Sequence, residues 1–342
     1  MATRGVTILR GSVQTLADTA ARAESAGFHS AWTPEFYTRS SVVTLAAMAA
    51  RTSDIRLGTS IAYASGRSPL MLATEARSLD ELSGGRLVLG LGLGTKRMME
   101  DWHGLPGDAP AVRMEELVPL LRRLWRLHEG PVKHAGRFYT LSVTPTAEVE
   151  EPLRTDIPVF TAGVSPRMIQ TAGRVADGLL GHVLFSPAYV EQVVNPAIDE
   201  GRAKTGREDA PVEKVGIVIT SIADDAEQAR REVAAQIGFY CAPKSYATLL
   251  ELSGFAGEGD AVRAAFAERD FAAMTAAVSD DMIDAIGVAG TADEVRAKLD
   301  ALGDVYDHIV IYPPSFGLTG ERCDELAEVL VAECGAGSGA AR

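Results

Sequence analysis

Three titratable side chains stand where proton chemistry is conceivable: Glu35 in "TPEFYTRSS", His103 in "DWHG" and His182 in "GHVLF". A carboxyl there acts as a general acid or base, or as a ligand for a backbone amide. The imidazoles either move protons or serve as structural hydrogen-bonders. A second kind of chemistry is anion binding. In "GVSPRMIQTAGRVAD", Ser165 is the expected N-cap and Pro166 the expected first helical residue. A cation in that first turn, Arg167, is misplaced against the helix dipole unless an anion binds at the turn. Arg67, just before "SP", repeats the arrangement one helix earlier. The alternative for both arginines is solvation or an acidic neighbour. Arg174 and Asp177, three apart on the same helix, are expected to pair with each other. Trp102 is either a pocket wall or a packing residue.

These groups need a frame, and "SGGRLVLGLGLG" suggests one. It fails the G-x-G-x-x-G loop pattern because Thr95 stands three after Gly92. Alternate strand residues point to opposite faces. Leu87, Leu89, Leu91 and Leu93 therefore share one face, and Val88, Gly90, Gly92 and Gly94 share the other. The bare face admits either a close-packed backbone or a ligand.

A recurrent junction runs along the chain: amphipathic helix, glycine stop, short apolar strand. It occurs at "LADTAARAESAG", "LATEARSLDELSGG", "MIQTAGRVADG" and "VRAKLDALG". Glycine there supplies a left-handed C′ position. Strands are expected near Val6, His29, Ile55, Leu87, Pro158, Leu179, Val215 and His308. Eight strands alternating with helices predict an α/β fold, a (β/α)8 TIM barrel, over an open doubly wound sheet. One domain over 1–335 is expected, with insertions near 131–157, including a short hairpin, and a helical excursion over 224–290 before the last strand. Residues 336–342 are expected to be a disordered tail. In such a barrel the site lies at the strand ends, which places Ser60, Ile61, Gly163 and Val164 beside the residues above.

The 342 residues are 46% hydrophobic and 23% charged, with a net charge of −13, which disfavours nucleic-acid binding. Cys241, Cys323 and Cys334 are scattered, and no metal site is expected. The opening "MATRGVTILRG" lacks an apolar stretch of leader length, and no run approaches a membrane span. A cytoplasmic protein without membrane attachment is expected.

The segments "AESAGFHSAWTPEF", "IRLGTSIAYASGRSPLMLATEARSLDELSGGRLVLGLGLG", "DWHG" and "PVFTAGVSPRMIQTAGRVADG" resemble the luciferase-like monooxygenase superfamily. They are most similar to its branch of coenzyme F420-dependent oxidoreductases. The likeness runs over about 5–205 and 287–315. It implies a (β/α)8 barrel with the tricyclic ring at the C-terminal mouth and hydride transfer to or from a small-molecule substrate. It also implies a non-proline cis bond at Ser60–Ile61, cofactor contact near Gly92 and Gly94, and a tail held by Gly163, Val164 and Ser165 with Arg67 and Arg167. Relatives often pair, so a homodimer is implied. An FMN-dependent monooxygenase and a non-catalytic flavin-binding relative are the alternatives. Deazaflavin relatives carry an acidic residue followed by histidine after the second strand. Here Phe36 follows Glu35, so that histidine's proton role does not carry over.

Overall fold

The computed structural model describes residues 2–335; the tail expected at 336–342 lies outside the described residues. Eight parallel strands form the core: β1 (Thr3–Thr7), β2 (Ser30–Thr33), β3 (Arg56–Thr59), β4 (Leu87–Gly92), β5 (Val159–Ala162), β6 (Gly178–Leu180), β7 (Glu213–Ile222) and β8 (His308–Tyr312). Each pairs with the next, and β8 pairs with both β7 and β1. The sheet is thus a closed (β/α)8 barrel, and closure excludes the open doubly wound arrangement.

Side-chain alternation divides the core into two layers. Leu57, Leu87, Leu89, Leu91 and Val159 pack outward on the helices. Trp32, Val88, Phe160, Leu180, Val215 and Val310 fill the interior. The leucine face of β4 therefore points outward and its glycine face inward, as its period-two pattern predicts. At Gly90 a Cβ would stand 1.9 Å from the Thr59 carbonyl oxygen. Only a bare residue lets β3 and β4 approach this closely.

Below this layer, polar groups inside the barrel are satisfied by one another. The Trp32 Nε1–H donates to Ser30 Oγ at 2.5 Å, and Ser30 Oγ lies 2.6 Å from His308 Nε2. His308 Nδ1 is 2.6 Å from Thr3 Oγ1. Tryptophan can only donate, so Ser30 Oγ accepts from it, and the same oxygen links Trp32 to the His308 ring and through it to Thr3. Burial pushes the His308 imidazole down to about 3.

The loops at the C-terminal strand ends stop at polar caps. Ser12, Ser40, Ser68, Thr95 and Ser165 each accept the N–H three residues on. Each satisfies an orphan donor of the following helix. Of the predicted glycine stops, Gly27, Gly84 and Gly85 are left-handed. Gly178 instead lies in β6 with its bare side against Phe160, and Gly303 sits in a short 3-10 turn.

The predicted hairpin forms from Val132–Ala135 and Thr140–Val143. The excursion contains helices Ala226–Cys241, Ala247–Leu252, Ala256–Ala267, Phe271–Ala276 and Asp280–Ile286. It is not wholly helical, because Val288–Gly290 extends β7 as a parallel neighbour. No helix among the described residues is long and apolar enough to cross a membrane.

Candidate cofactor site at the barrel mouth

Beyond β3 the chain turns inward. The Ser60–Ile61 bond is cis. Ser60 N–H donates to Thr33 O at 3.0 Å, and the Ile61 carbonyl accepts from Glu35 N–H at 2.9 Å. Ala62 and Tyr63 then pair with Leu91 and Gly92 of β4. These bonds fix Ile61 over the bare end of that strand. A Cβ on Gly92 would lie 2.3 Å from Ile61 Cδ1. Gly92 and Ile61 are thus brought together. Gly94 differs from them, since at φ +68° it turns the chain into the helix Lys96–His103.

Glu35 and Arg67 face each other rather than a ligand. Arg67 Nη1 donates to Glu35 Oε2 at 2.7 Å and Nη2 to Oε1 at 2.6 Å. Tyr63 N–H donates to the same carboxylate at 2.9 Å. Burial opposes the charge on Glu35, but the Arg67 guanidinium and the Tyr63 and Ser41 amides outweigh it and hold its carboxyl below the usual range. Glu35 therefore carries no proton to give at neutral pH, which corrects its reading as a general acid. It is the ligand for a backbone amide. Arg67 also meets Glu75 Oε2 at 2.5 Å, off the hydrogen-bond axis. Its charge is compensated within the chain, so it is not a free anion receptor.

The second turn shows the same correction. Ser165 caps the helix Pro166–Val175 and Pro166 is its first residue, as predicted. Arg167, however, makes a bidentate pair with Glu115, at 2.6 and 2.9 Å. Arg174 also binds Glu115, at 3.3 Å. Asp177 accepts from Arg122 and from Val159 N–H. Arg174 and Asp177 do not pair with each other.

The main chain at this turn remains available. Tyr189 Oη–H donates to the Val164 carbonyl at 2.8 Å. That bond draws the carbonyl one way and leaves Ser165 N–H pointing the other, as a trans peptide requires. Among the described residues the N–H groups of Val164 and Ser165 have no protein acceptor. At Gly163 a Cβ would lie 2.8 Å from Met168 Cβ, so the segment lies tight on its helix. Free amides at a helix N-terminus suit a phosphate or carboxylate.

A cavity of about 600 Å³ opens between the loops after β2, β3 and β4, lined by Glu35, Phe36, Tyr37, Tyr63, Trp102 and His103 among others. Phe36, Tyr37 and Trp102 are 44%, 74% and 44% exposed, yet their ring centroids lie 4.2–5.5 Å apart. Trp102 is a pocket wall. His103 packs on Tyr63 at 4.9 Å, and its Nε2 is buried with no hydrogen-bond partner.

His182 lies elsewhere, between Tyr246 at 4.4 Å and Tyr240 at 5.5 Å. The Tyr240 hydroxyl meets that of Tyr312 at 2.9 Å. Burial pushes the His182 imidazole down to about 4. The neutral form of the ring is therefore the favoured one. Sequence reasoning gave these tyrosines no role in the site. Tyr312 shares parity with His308 and Val310 and was findable as the inward end of β8. Tyr240 and Tyr246 arrive from the excursion and carry no such pattern.

The frame is thus a closed parallel (β/α)8 barrel with Ile61 over the glycine-bare end of β4 and open main-chain amides at the turn after β5. The sequence model of the luciferase-like monooxygenase family matches residues 2–308, and the chain belongs to this family. A putative coenzyme F420-dependent oxidoreductase of Mycobacterium tuberculosis is 30% identical over 84% of this chain and 86% of its own. The structure of the coenzyme F420-dependent tetrahydromethanopterin reductase from Methanopyrus kandleri superposes with a TM-score of 0.80 at 26% identity, covering 97% of this chain and 98% of that one. The oxygenating constituent of 3,6-diketocamphane monooxygenase from Pseudomonas putida, in complex with FMN, shares the fold at a TM-score of 0.69 and 18% identity, over 98% of each chain.

Proposed function

We propose that the protein is a coenzyme F420-dependent oxidoreductase that moves a hydride between the deazaflavin and a small organic substrate. The observation that carries this reading is the cradle at Gly92, where Ile61 stands over the glycine-bare end of the inward face of β4. The 30% identity to a putative F420-dependent oxidoreductase supports the choice of cofactor.

The residues present fit such a group. Gly92 and Ile61 would line the ring, and the free N–H groups of Val164 and Ser165 beside Gly163 would hold the tail phosphate. When bound, the deazaflavin supplies the hydride chemistry, while the protein orients and excludes water. Arg67 and Arg167 act through their carboxylate partners, shaping the loops rather than meeting the tail. Of the candidate proton groups, His103 lines the cavity and has an Nε2 buried without a hydrogen-bond partner, which leaves it able to act as acid or base. Exposed Val43 and Met71 on neighbouring helices support a homodimer through that face, checked by light scattering.

Fluorescence titration with coenzyme F420 and, separately, with FMN tests the reading. Micromolar binding of F420 is expected. Tight binding of FMN without F420 would replace it with an FMN-dependent monooxygenase.

A further inference from the structure

We propose that His182 is a tautomer-locked, uncharged hydrogen-bond donor whose Nε2–H serves a carbonyl oxygen of the substrate at the barrel mouth. The substrate role rests on the function proposed above; the lock rests on geometry alone.

The placement follows from the strand. In β6, Gly178 backs onto the interior Phe160, and Leu180 belongs to the interior layer. Gly181 N–H still donates to Val215 O at 2.8 Å, so the extended pairing continues one residue past the strand. Position 182 has the same parity as 178 and 180. Its side chain is therefore directed inward at the C-terminal end. Tyr312 has the matching parity on β8, and the two residues are joined through Tyr240.

The tautomer follows from a backbone bond. Leu184 N–H lies 3.3 Å from His182 Nδ1. A peptide N–H only donates, so Nδ1 must present its lone pair, and the ring proton resides on Nε2. Phe185 N–H donates to the His182 carbonyl at 2.9 Å, which closes the turn and holds this arrangement. Tyr246 covers one face of the ring at 31° and Tyr240 meets it edge-on at 89°. The titratable groups packed around the ring are the hydroxyls of Tyr240 and Tyr246, with Tyr312 behind Tyr240; no carboxylate or cation perturbs it. Nε2 has no protein partner among the described residues and, unlike that of His103, is not closed off from space.

Such a donor suits a carbonyl undergoing reduction. As hydride from a reduced deazaflavin bonds to a carbonyl carbon, the C=O π pair moves onto oxygen. A fixed N–H aimed at that oxygen stabilises the growing charge without reorganisation. The proton that completes the alcohol comes from solvent or another group, because His182 would become imidazolate by giving it up. An anionic substrate would call for a cation at this edge, and among the described residues none perturbs the ring. The substrate class is an uncharged carbonyl compound.

Long-range ¹H–¹⁵N correlation spectra of ring-labelled protein test the lock without any cofactor. His182 should show the Nε2-protonated neutral pattern from about pH 5.5 to about pH 8.5. An Nδ1-protonated ring, or a midpoint near 6.5, would overturn the proposal. In the F420-loaded protein, cyclohexanone should move the Nε2–H resonance and acetate should not; the reverse response, or none to cyclohexanone, also overturns it. His182→Gln keeps an N–H donor, whereas His182→Phe keeps the packing alone. Cyclohexanone affinity should fall about three- to tenfold in the phenylalanine variant only. Equal affinity loss in two folded variants would assign packing rather than donation. Failure of the wild type to bind F420 would remove the proposed function while leaving the tautomer result standing.

Discussion

Arg67 grips Glu35 through two parallel hydrogen bonds of 2.6 and 2.7 Å while its third nitrogen faces Glu75. This pair ties the loop after β2 to the loop after β3, and both frame the mouth. The side chains are mostly buried, and removing one partner of such a pair costs about 3–5 kcal/mol. Glu75 still compensates Arg67 when Glu35 is lost, so Glu35→Gln is expected near the lower end of that range. Urea denaturation measures it. The Glu35 carboxyl is held below its unfolded value, so its contribution is full above the unfolded pKa and is lost as pH falls through the folded one. The gap between Glu35→Gln and wild type should accordingly narrow in acid. A variant as stable as wild type at neutral pH would refute this account.

The Gly92 cradle makes a steric prediction. Alanine there meets Ile61 Cδ1 at 2.3 Å and Cγ1 at 3.2 Å. Gly92→Ala should cost about 1–3 kcal/mol from overpacking and weaken F420 binding by pushing Ile61 into the mouth. Adding Ile61→Val removes the colliding methyl and should restore part of both losses. Strict additivity in this double-mutant cycle would mean the two residues do not share the space.

Arg167 is answered by Glu115, with Arg174 on the same carboxylate. Arg167→Gln should therefore leave F420 affinity within about threefold, less than the loss expected for a buried charged hydrogen bond. Arg167 is partly exposed, so the stability cost should stay under about 1 kcal/mol. A tenfold or larger loss of affinity, read by fluorescence titration, would place Arg167 on the cofactor after all.

His308 gives stability a pH dependence. The folded chain keeps this imidazole neutral down to about 3, whereas the unfolded chain protonates it near 6.5. Its contribution is whole above that unfolded value. Below it, unfolding becomes easier by about 1.36 kcal/mol per pH unit for each such histidine, until the folded value is reached. His182 adds a second, down to about 4. Unfolding curves between about pH 6 and about pH 5 should show proton uptake, and His308→Gln should reduce it by about one proton. An unchanged slope would contradict the buried chain from Thr3 to Trp32.

Local pattern alone was enough for the frame. Period-two alternation assigned the two faces of β4, because a strand cannot turn its leucines outward without turning Gly90 and Gly92 inward. Ser165 and Pro166 announced a helix start because capping is settled within a few residues of chain. Eight strand positions could be placed for the same reason. Partner choice is a different matter, because it is settled across the closed barrel. Arg67 found Glu35, 32 residues away, and Arg167 found Glu115, 52 residues away. His182 is enclosed by Tyr240 and Tyr246, delivered by helices whose packing no local periodicity encodes. Charge and burial at a site depend on everything that converges there, so the strands and caps could be read in one dimension while the chemistry of the mouth was decided only in three.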